Sequence, residues 1–171
     1  MSRADLRRLL AVTAGLITVL LAALLVGPPP ASAATLDWYR VSNLGTGKCM
    51  DNYARTNNIY QYPCGAGVNQ LFTWYQVPGR PGDWYIENMA YYGCMEPNGG
   101  GGIILRECYS GRTTSMWRWV PVSGGWYKIV NVASGRCVEV PNSSSADVQL
   151  VTAFCNSQNK QLWKGELRYT G

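Results

Sequence analysis

The stretch Gly47-Lys48-Cys49-Met50-Asp51 has a close copy late in the chain, Gly135-Arg136-Cys137-Val138-Glu139. A looser copy, Cys94-Met95-Glu96, lies between the two. In all three, an apolar residue follows a cysteine and an acidic residue follows that apolar residue. A pattern that returns at nearly equal intervals indicates internal repeats. The chain is therefore predicted to contain three related units.

Landmarks on both sides of these stretches also recur. An asparagine lies six residues before the first cysteine of each unit, at Asn43, Asn88 and Asn131. A triplet ending in an aromatic residue follows each second cysteine: Gln70-Leu71-Phe72, Ser115-Met116-Trp117 and Gln161-Leu162-Trp163. The predicted repeats are residues 38–82, 83–124 and 125–167, roughly 44 residues each.

Short strands are the predicted secondary structure. Residues 39–44 and 127–132 alternate in polarity and contain β-branched and aromatic side chains, which is typical of half-buried strands. Turn-forming residues such as Pro97-Asn98-Gly99 separate the strand-like segments. This pattern predicts an all-β barrel or sandwich. One unit is too small to bury a core alone, so we expect the three units to share one.

The six cysteines predict disulfide bonds, since an even number in an exported chain is typical of a disulfide framework. Six cysteines allow 15 pairings in principle. Equivalence between the repeats favours one bond in each: Cys49–Cys64, Cys94–Cys108 and Cys137–Cys155. Closing a loop of about 15 residues contributes roughly 3 kcal/mol in the chain-entropy model.

The first 33 residues have the pattern of a signal peptide. Arginines up to Arg8 precede an apolar run at 9–26, and Pro28-Pro29-Pro30 ends any helix there. Ala31-Ser32-Ala33 is the small-residue pattern that signal peptidase accepts. We therefore expect a secreted domain of residues 34–171.

Two alternatives for this segment stay open at the level of sequence. The apolar run is near the lower length limit for a retained membrane anchor. The pair Arg7-Arg8 is also compatible with twin-arginine export.

The charge of the chain is mild. Removing the leader takes three arginines and one aspartate from 15 basic and 10 acidic residues, which leaves a net charge of +3. No block of like charge remains, so we expect a monomer that has no nucleic-acid partner and does not insert into membranes.

Taken together, these motifs resemble the ricin B-type lectins, a family of carbohydrate-binding β-trefoils. The resemblance rests on residues 47–51 and 135–139, on Val148-Gln149-Leu150, and on the triplets after the second cysteines. It implies a β-trefoil with pseudo-threefold symmetry. It also implies that the triplet aromatics Phe72, Trp117 and Trp163 pack in the core. The tryptophans that open the repeats, Trp38, Trp84 and Trp126, are likewise interpreted as packing residues.

The resemblance further implies one shallow sugar pocket per repeat. Such a pocket uses the acid two residues after the first cysteine, an aromatic two residues before the second, and an Asn-Gln pair. The first repeat has the full set: Asp51, Tyr62, Asn69 and Gln70.

The other two repeats depart from this pattern. In the second, Glu96 is accompanied by Arg106 in place of the aromatic and by Thr114-Ser115 in place of Asn-Gln. In the third, Glu139 and Gln161 are accompanied by Ala153 and Lys160. Glu96, Glu139 and Gln161 are therefore weaker candidates for sugar binding.

The residues of the first repeat suit a sugar. An aromatic face packs on the C–H face of a pyranose, a carboxylate accepts hydrogen bonds from its hydroxyls, and an amide both donates and accepts. Galactose-type glycans and plant or microbial polysaccharides all remain possible ligands. An affinity of about 0.1–1 mM is expected for one such pocket.

No catalytic function is expected. The chain has no histidine, which removes histidine-activated nucleophiles and the commonest zinc ligand. With all cysteines paired, we expect no metal site and no cofactor. The alternative from another class is a protein-binding trefoil, such as a secreted protease inhibitor or the targeting subunit of a toxin.

Overall fold

The computed structural model describes residues 36–52, 56–109, 111–141 and 145–170. The predicted signal peptide, residues 1–33, lies outside this described part. Across the described ranges the secondary structure is thirteen short strands and four single-turn 3₁₀ helices. The described residues contain no helix with the length and apolar character needed to cross a bilayer.

The strands follow one another in three groups of similar order. They are β1 (Asp37–Asn43), β2 (Cys49–Asp51), β3 (Tyr60–Tyr62), β4 (Leu71–Gln76), β5 (Trp84–Asn88), β6 (Gly93–Pro97), β7 (Ile103–Arg106), β8 (Trp117–Pro121), β9 (Tyr127–Asn131), β10 (Cys137–Glu139), β11 (Val148–Gln149), β12 (Val151–Ala153) and β13 (Trp163–Thr170). The 3₁₀ turns are Val68–Gln70, Thr113–Ser115, Ser123–Gly125 and Asn159–Gln161.

Six strands form a closed antiparallel barrel. Strand β1 pairs with β13 and β4, β4 with β5, β5 with β8, β8 with β9, and β9 with β13. Two of these strands come from each repeat, and full closure leaves the barrel without an exposed edge. The prediction of an all-β β-trefoil built from three repeats is confirmed.

Three hairpins close one end of the barrel: β2–β3, β6–β7 and β10–β12. They meet in a cyclic set of backbone hydrogen bonds near the pseudo-threefold axis. Ile59 N–H donates to Ile103 O (3.0 Å), Ile103 N–H to Leu150 O (2.7 Å) and Leu150 N–H to Ile59 O (2.8 Å). Each repeat thus supplies one donor and one acceptor, which explains why the units need one another.

The barrel interior contains one inward-facing residue from each of its six strands. These side chains have no exposed surface: Val41, Phe72, Ile86, Trp117, Ile129 and Trp163. The prediction that the triplet aromatics Phe72, Trp117 and Trp163 pack in the core is therefore confirmed. Burying an apolar side chain of this size contributes roughly 1.5–3 kcal/mol.

The asparagines that marked the repeats have a structural role that the sequence did not reveal. The side-chain amide of Asn88 donates to the backbone oxygens of Asn69 (2.9 Å) and Leu71 (3.3 Å) in the preceding repeat. Asn43 and Asn131 make the equivalent bonds to the third and second repeats. All three are buried. Each asparagine therefore fixes its own turn to the 3₁₀ turn of the repeat before it.

The three predicted disulfides are present, Cys49–Cys64, Cys94–Cys108 and Cys137–Cys155. In each repeat the disulfide joins the two sides of the hairpin: the first cysteine lies in the strand that carries the acidic residue, and the second lies in the loop that follows the other strand. In this way the staples fix the position of the candidate site residues, which lie between the two cysteines or just beyond the second.

Candidate functional site

The β2–β3 hairpin brings the acid and the aromatic of the first repeat to one face. Cys49 pairs with Tyr62, and Asp51 pairs with Tyr60. Directly opposed residues and those two positions away share a face of an antiparallel pair. Asp51, Tyr60 and Tyr62 therefore lie on the same side of the hairpin. Met50, on the other side, is fully buried.

The Asp51 carboxylate is held by two neutral amides. Asn69 Nδ2 donates to its Oδ1 at 2.7 Å, and Gln70 Nε2 donates to its Oδ2 at 2.6 Å. Both amides come from the 3₁₀ turn that leads into β4. Neither of these two partners is charged, so neither offsets the charge of the carboxylate.

Gln70 fixes this turn from behind. Its Nε2 also donates to the backbone oxygen of Pro63 (2.9 Å), and its Oε1 accepts from the backbone N–H of Gly65 (2.7 Å). Gln70 is buried. It thus joins the acid, the turn and the loop around the disulfide, which is a bracing role rather than one at the surface.

The site residues differ in accessibility. Asp51 has no exposed surface, whereas Tyr62 and Asn69 are half-buried. Tyr60, also half-buried, accepts a hydrogen bond on its hydroxyl from Asn58 Nδ2 at 2.9 Å. Tyr62 and Asn69 are therefore the surfaces that a ligand meets first, and Asp51 orients Asn69 from beneath.

A glycine leaves the space in which Asn69 sits. A Cβ placed on Gly67 would lie 2.2 Å from Asn69 Oδ1, far inside van der Waals contact. The equivalent position carries Arg112 in the second repeat and Gln158 in the third. The Asn69 orientation seen here is therefore available only in the repeat that has glycine at this position.

In the third repeat the acid is paired with a cation. Gln161 Nε2 donates to Glu139 Oε2 at 2.6 Å, like its counterpart in the first repeat, but Lys160 Nζ lies 2.9 Å from Oε1. Ala153 lies opposite Cys137, where the first repeat has Tyr62. The third repeat thus keeps the brace, has its acid neutralised and lacks the aromatic platform.

Phe154, which follows Ala153 in the sequence, contacts a cation. It is 80% exposed, and the Arg136 guanidinium lies 4.7 Å from its ring centroid. The ring is therefore engaged in a cation–π contact next to the disulfide.

In the second repeat two side chains bond the carboxylate oxygens of Glu96. Arg112 lies 3.1 Å from Glu96 Oε2, and the Thr114 hydroxyl donates to Oε1 at 2.7 Å. Ser115, at the position of Gln70, donates to the Arg112 backbone oxygen instead. Arg106 lies opposite Cys94 and is exposed. The second repeat thus forms an internal ion pair, where the described partners of the first repeat's acid are neutral amides.

Sequence reasoning recognised Lys160, Arg106 and Thr114 as departures from the pattern but missed Arg112. The signal was available, because Arg112 lies three residues before Ser115 just as Gly67 lies three before Gln70. Comparing that position across the repeats would have exposed the difference.

Comparison with known proteins agrees with the architecture. The sequence pattern of the family described as "Ricin-type beta-trefoil lectin domain" matches residues 37–163. Among curated proteins, none has a significantly similar sequence.

Solved structures with the same fold include a designed protein, a lectin and a glycosidase. The designed threefold-symmetric protein ThreeFoil has a TM-score of 0.69 and 22% identity, over 75% of this chain and 96% of that one. The hemolytic lectin CEL-III has a TM-score of 0.63 and 23% identity, over 75% of this chain and 30% of that one. An exo-β-1,3-galactanase from Clostridium thermocellum has a TM-score of 0.67 and 20% identity, over 82% of this chain and 31% of that one. The chain thus spans about a third of the lectin and of the glycosidase.

Proposed function

Because the chain belongs to the ricin-type β-trefoil lectin family, we propose that it is a secreted, monomeric carbohydrate-binding module whose sugar site lies in the first repeat. The family and the lectin and galactanase folds similar to this chain support carbohydrate binding in general. The single observation that supports the choice of repeat is the Asp51 carboxylate, which two neutral amides hold and which forms no ion pair within the part of the chain that the structure describes.

In this proposal each residue has a distinct task. Tyr62 packs its ring against the C–H face of a pyranose, and Asn69 exchanges hydrogen bonds with a hydroxyl. Asp51 sets the Asn69 orientation and supplies the negative charge that polarises the site. Gln70 holds the acid in place. Glu96, Glu139 and Gln161 contribute structure but bind sugar weakly or not at all.

The module binds without catalysis. Glycoside hydrolysis commonly requires two carboxyl groups that flank one bond, whereas Asp51, Glu96 and Glu139 lie in three separate repeats. Useful avidity would come from a repetitive glycan or from several copies of the module acting together. Galactose-terminated glycans, xylan and other plant or microbial polysaccharides are the ligand classes to test.

A glycan array on the purified domain, residues 34–171, tests this proposal. We expect binding to at least one glycan class, loss of that binding in Asp51→Asn, and retention in Glu139→Gln. Absence of binding to every glycan would overturn the proposal and favour the protein-binding alternative. Release of reducing ends from the bound glycan would contradict the non-catalytic assignment.

Export is tested separately. N-terminal sequencing of the protein from the culture medium is expected to begin at Ala34. Recovery of the chain only in the membrane fraction, with residues 1–33 retained, would contradict the signal-peptide assignment.

A further inference from the structure

The end of the barrel opposite the hairpins contains an aromatic cavity that the sugar site does not use. It has a volume of about 400 Å³, within the usual range for small-ligand sites, roughly 300–1,000 Å³. One residue from each barrel strand lines it: Tyr39, Trp74, Trp84, Trp119, Tyr127 and Gly165. Its walls are therefore five aromatic rings and one glycine.

The rings form a continuous wall. Tyr39 and Trp74 stack with centroids 4.3 Å apart, Trp74 and Trp119 are 4.9 Å apart, and Trp119 and Tyr127 meet edge to face at 5.9 Å. All of these residues are half-buried, and the fully buried core layer lies beneath them on the same strands. The cavity is thus a half-buried aromatic layer above a fully buried one.

Glycine at the sixth position makes this packing possible. A Cβ on Gly165 would lie 3.2 Å from the Trp74 ring and 3.6 Å from the Tyr39 ring. A larger residue there would force the stacked pair apart. Gly165 therefore helps to place the Tyr39 and Trp74 rings in the wall.

Strand alternation keeps cations out of the cavity. Arg40, Arg118, Lys128 and Lys164 each lie next to an inward-facing residue of their strand and therefore point outward. Arg168 is paired with Glu166. Within the described barrel strands, the charged residue on the inward side is Asp37, two residues from Tyr39.

Asp37 supplies negative charge beside Tyr39, one of the residues of the cavity wall. Its Oδ2 accepts from the Tyr39 hydroxyl at 3.4 Å and its Oδ1 from the Thr170 hydroxyl at 2.8 Å, so neutral groups hold it. Burial, followed by the Asp37 charge and hydrogen bond, raises the pKa of Tyr39, which keeps that phenol neutral. The wall of electron-rich rings thus lies next to a carboxylate that forms no ion pair with any other residue in the described ranges.

We propose that this cavity binds a quaternary ammonium group, the head of a choline-type ligand. Aromatic faces attract such cations, and aromatic cages are the arrangement that proteins use for them. A sugar has few polar partners here, since none of the six lining residues carries a carboxylate, amide or guanidinium, and Asp37 beside them already accepts from Tyr39 and Thr170. An anion would be repelled by Asp37.

Choline chloride and its neutral isostere, 3,3-dimethylbutan-1-ol, form a matched pair of probes. Titration followed by tryptophan fluorescence is expected to give saturable choline binding with a dissociation constant of about 1 mM. The isostere is expected to bind about fivefold more weakly or worse. Equal or tighter binding of the isostere would overturn the proposal in favour of an apolar pocket. Absence of saturable choline binding, or displacement of choline by a methyl glycoside, would also overturn it.

Two variants separate the rings from the charge. Trp84→Leu and Asp37→Asn are each expected to weaken choline binding about fivefold or more. Trp126→Leu, a half-buried tryptophan outside the cavity, and Asp51→Asn, in the sugar site, are expected to leave it unchanged. If Trp84→Leu fails to fold by circular dichroism, Trp119→Leu replaces it. Unchanged choline affinity in the folded cavity variants would contradict the assignment.

Discussion

The first and third repeats share a backbone plan and differ in what holds their acids. In both, a glutamine from the 3₁₀ turn donates to the carboxylate at 2.6 Å. In the first repeat the second partner is the Asn69 amide, whereas in the third it is the Lys160 ammonium. A neutral partner does not offset the charge of the acid, whereas a cation offsets it within the protein. The same scaffold therefore carries the proposed binding site in one repeat and an ion pair in another.

The largest expected effect comes from removing the charge in the first repeat. Both carboxylate oxygens of Asp51 accept hydrogen bonds, whereas the side-chain amide of an asparagine has one oxygen and one NH₂ group. In Asp51→Asn the NH₂ group would therefore face an N–H donor of Asn69 or Gln70. We expect sugar affinity to fall more than about tenfold, equivalent to roughly 1.4 kcal/mol. Isothermal titration with the best glycan from the array measures it. Glu139→Gln is the matched variant, and an equal loss there would break the distinction between the repeats.

A second effect tests the space beside Asn69. Gly67→Ala is expected to displace the Asn69 side chain, because the new Cβ would lie 2.2 Å from its Oδ1. Losing one well-placed hydrogen bond weakens sugar binding about fivefold. The control is Gly65→Ala, whose Cβ would have no atom within 4 Å. Similar titration curves for the two alanine variants would show that Asn69 does not need its present orientation.

Substitutions that give the third repeat the site residues of the first test whether these residues are sufficient for sugar binding. The triple variant Gln158→Gly/Lys160→Asn/Ala153→Tyr removes the cation beside Glu139, opens the space that the new asparagine needs, and adds a ring opposite Cys137. We expect a second site, several-fold weaker than the first because glutamate is longer than aspartate. Calorimetric stoichiometry reports it. Ala153→Tyr alone, with Lys160 in place, should bind one ligand; two ligands there would show that the ion pair does not block the site.

The smallest effect concerns a buried acid held entirely by cations. Asp83 bonds Arg118 at 2.6 Å and Arg80 at 2.8 Å. Burial alone would raise the pKa of Asp83, but these hydrogen bonds and charges lower it overall. Its stabilisation is therefore present above the unfolded-state pKa, about 3.9, and is lost as pH falls through the folded value.

Asp83→Asn is thus expected to cost about 1 kcal/mol at neutral pH, since both arginines are substantially exposed and screened. Thermal unfolding measured against pH should show that the difference in stability between Asp83→Asn and the parent protein vanishes in strong acid. At neutral pH the variant should bind sugar with the same affinity as the parent. A destabilisation that persists in acid would point to packing instead of charge.

The repeat pattern predicted an all-β protein of three units, and equivalence between the repeats predicted the three disulfides. The resemblance to the ricin B-type lectins implied the β-trefoil and the core positions of Phe72, Trp117 and Trp163. The roles of Asn43, Asn88 and Asn131 were not predictable, since each bonds a neighbouring repeat and the pairing of repeats is a property of the closed barrel.

Long-range placement also explains what was missed around the tryptophans. Trp38 is buried as expected. Trp84 was also interpreted as a packing residue, but it lines the aromatic cavity at the end of the barrel opposite the hairpins. Alternation predicts that a strand residue points inward, but not whether another layer covers it. In the same way, sequence placed Asp51 in a pocket without showing that Asn69 and Gln70 would enclose it completely.

Side-chain amide NMR during a sugar titration tests the central claim most directly. The Nδ2 protons of Asn69 and the Nε2 protons of Gln70 both report on Asp51, and those of Gln161 report on Glu139. The account predicts that the Asn69 and Gln70 signals shift and saturate with ligand while Gln161 stays in place. Movement of Gln161 with Asn69 and Gln70 unchanged would contradict it.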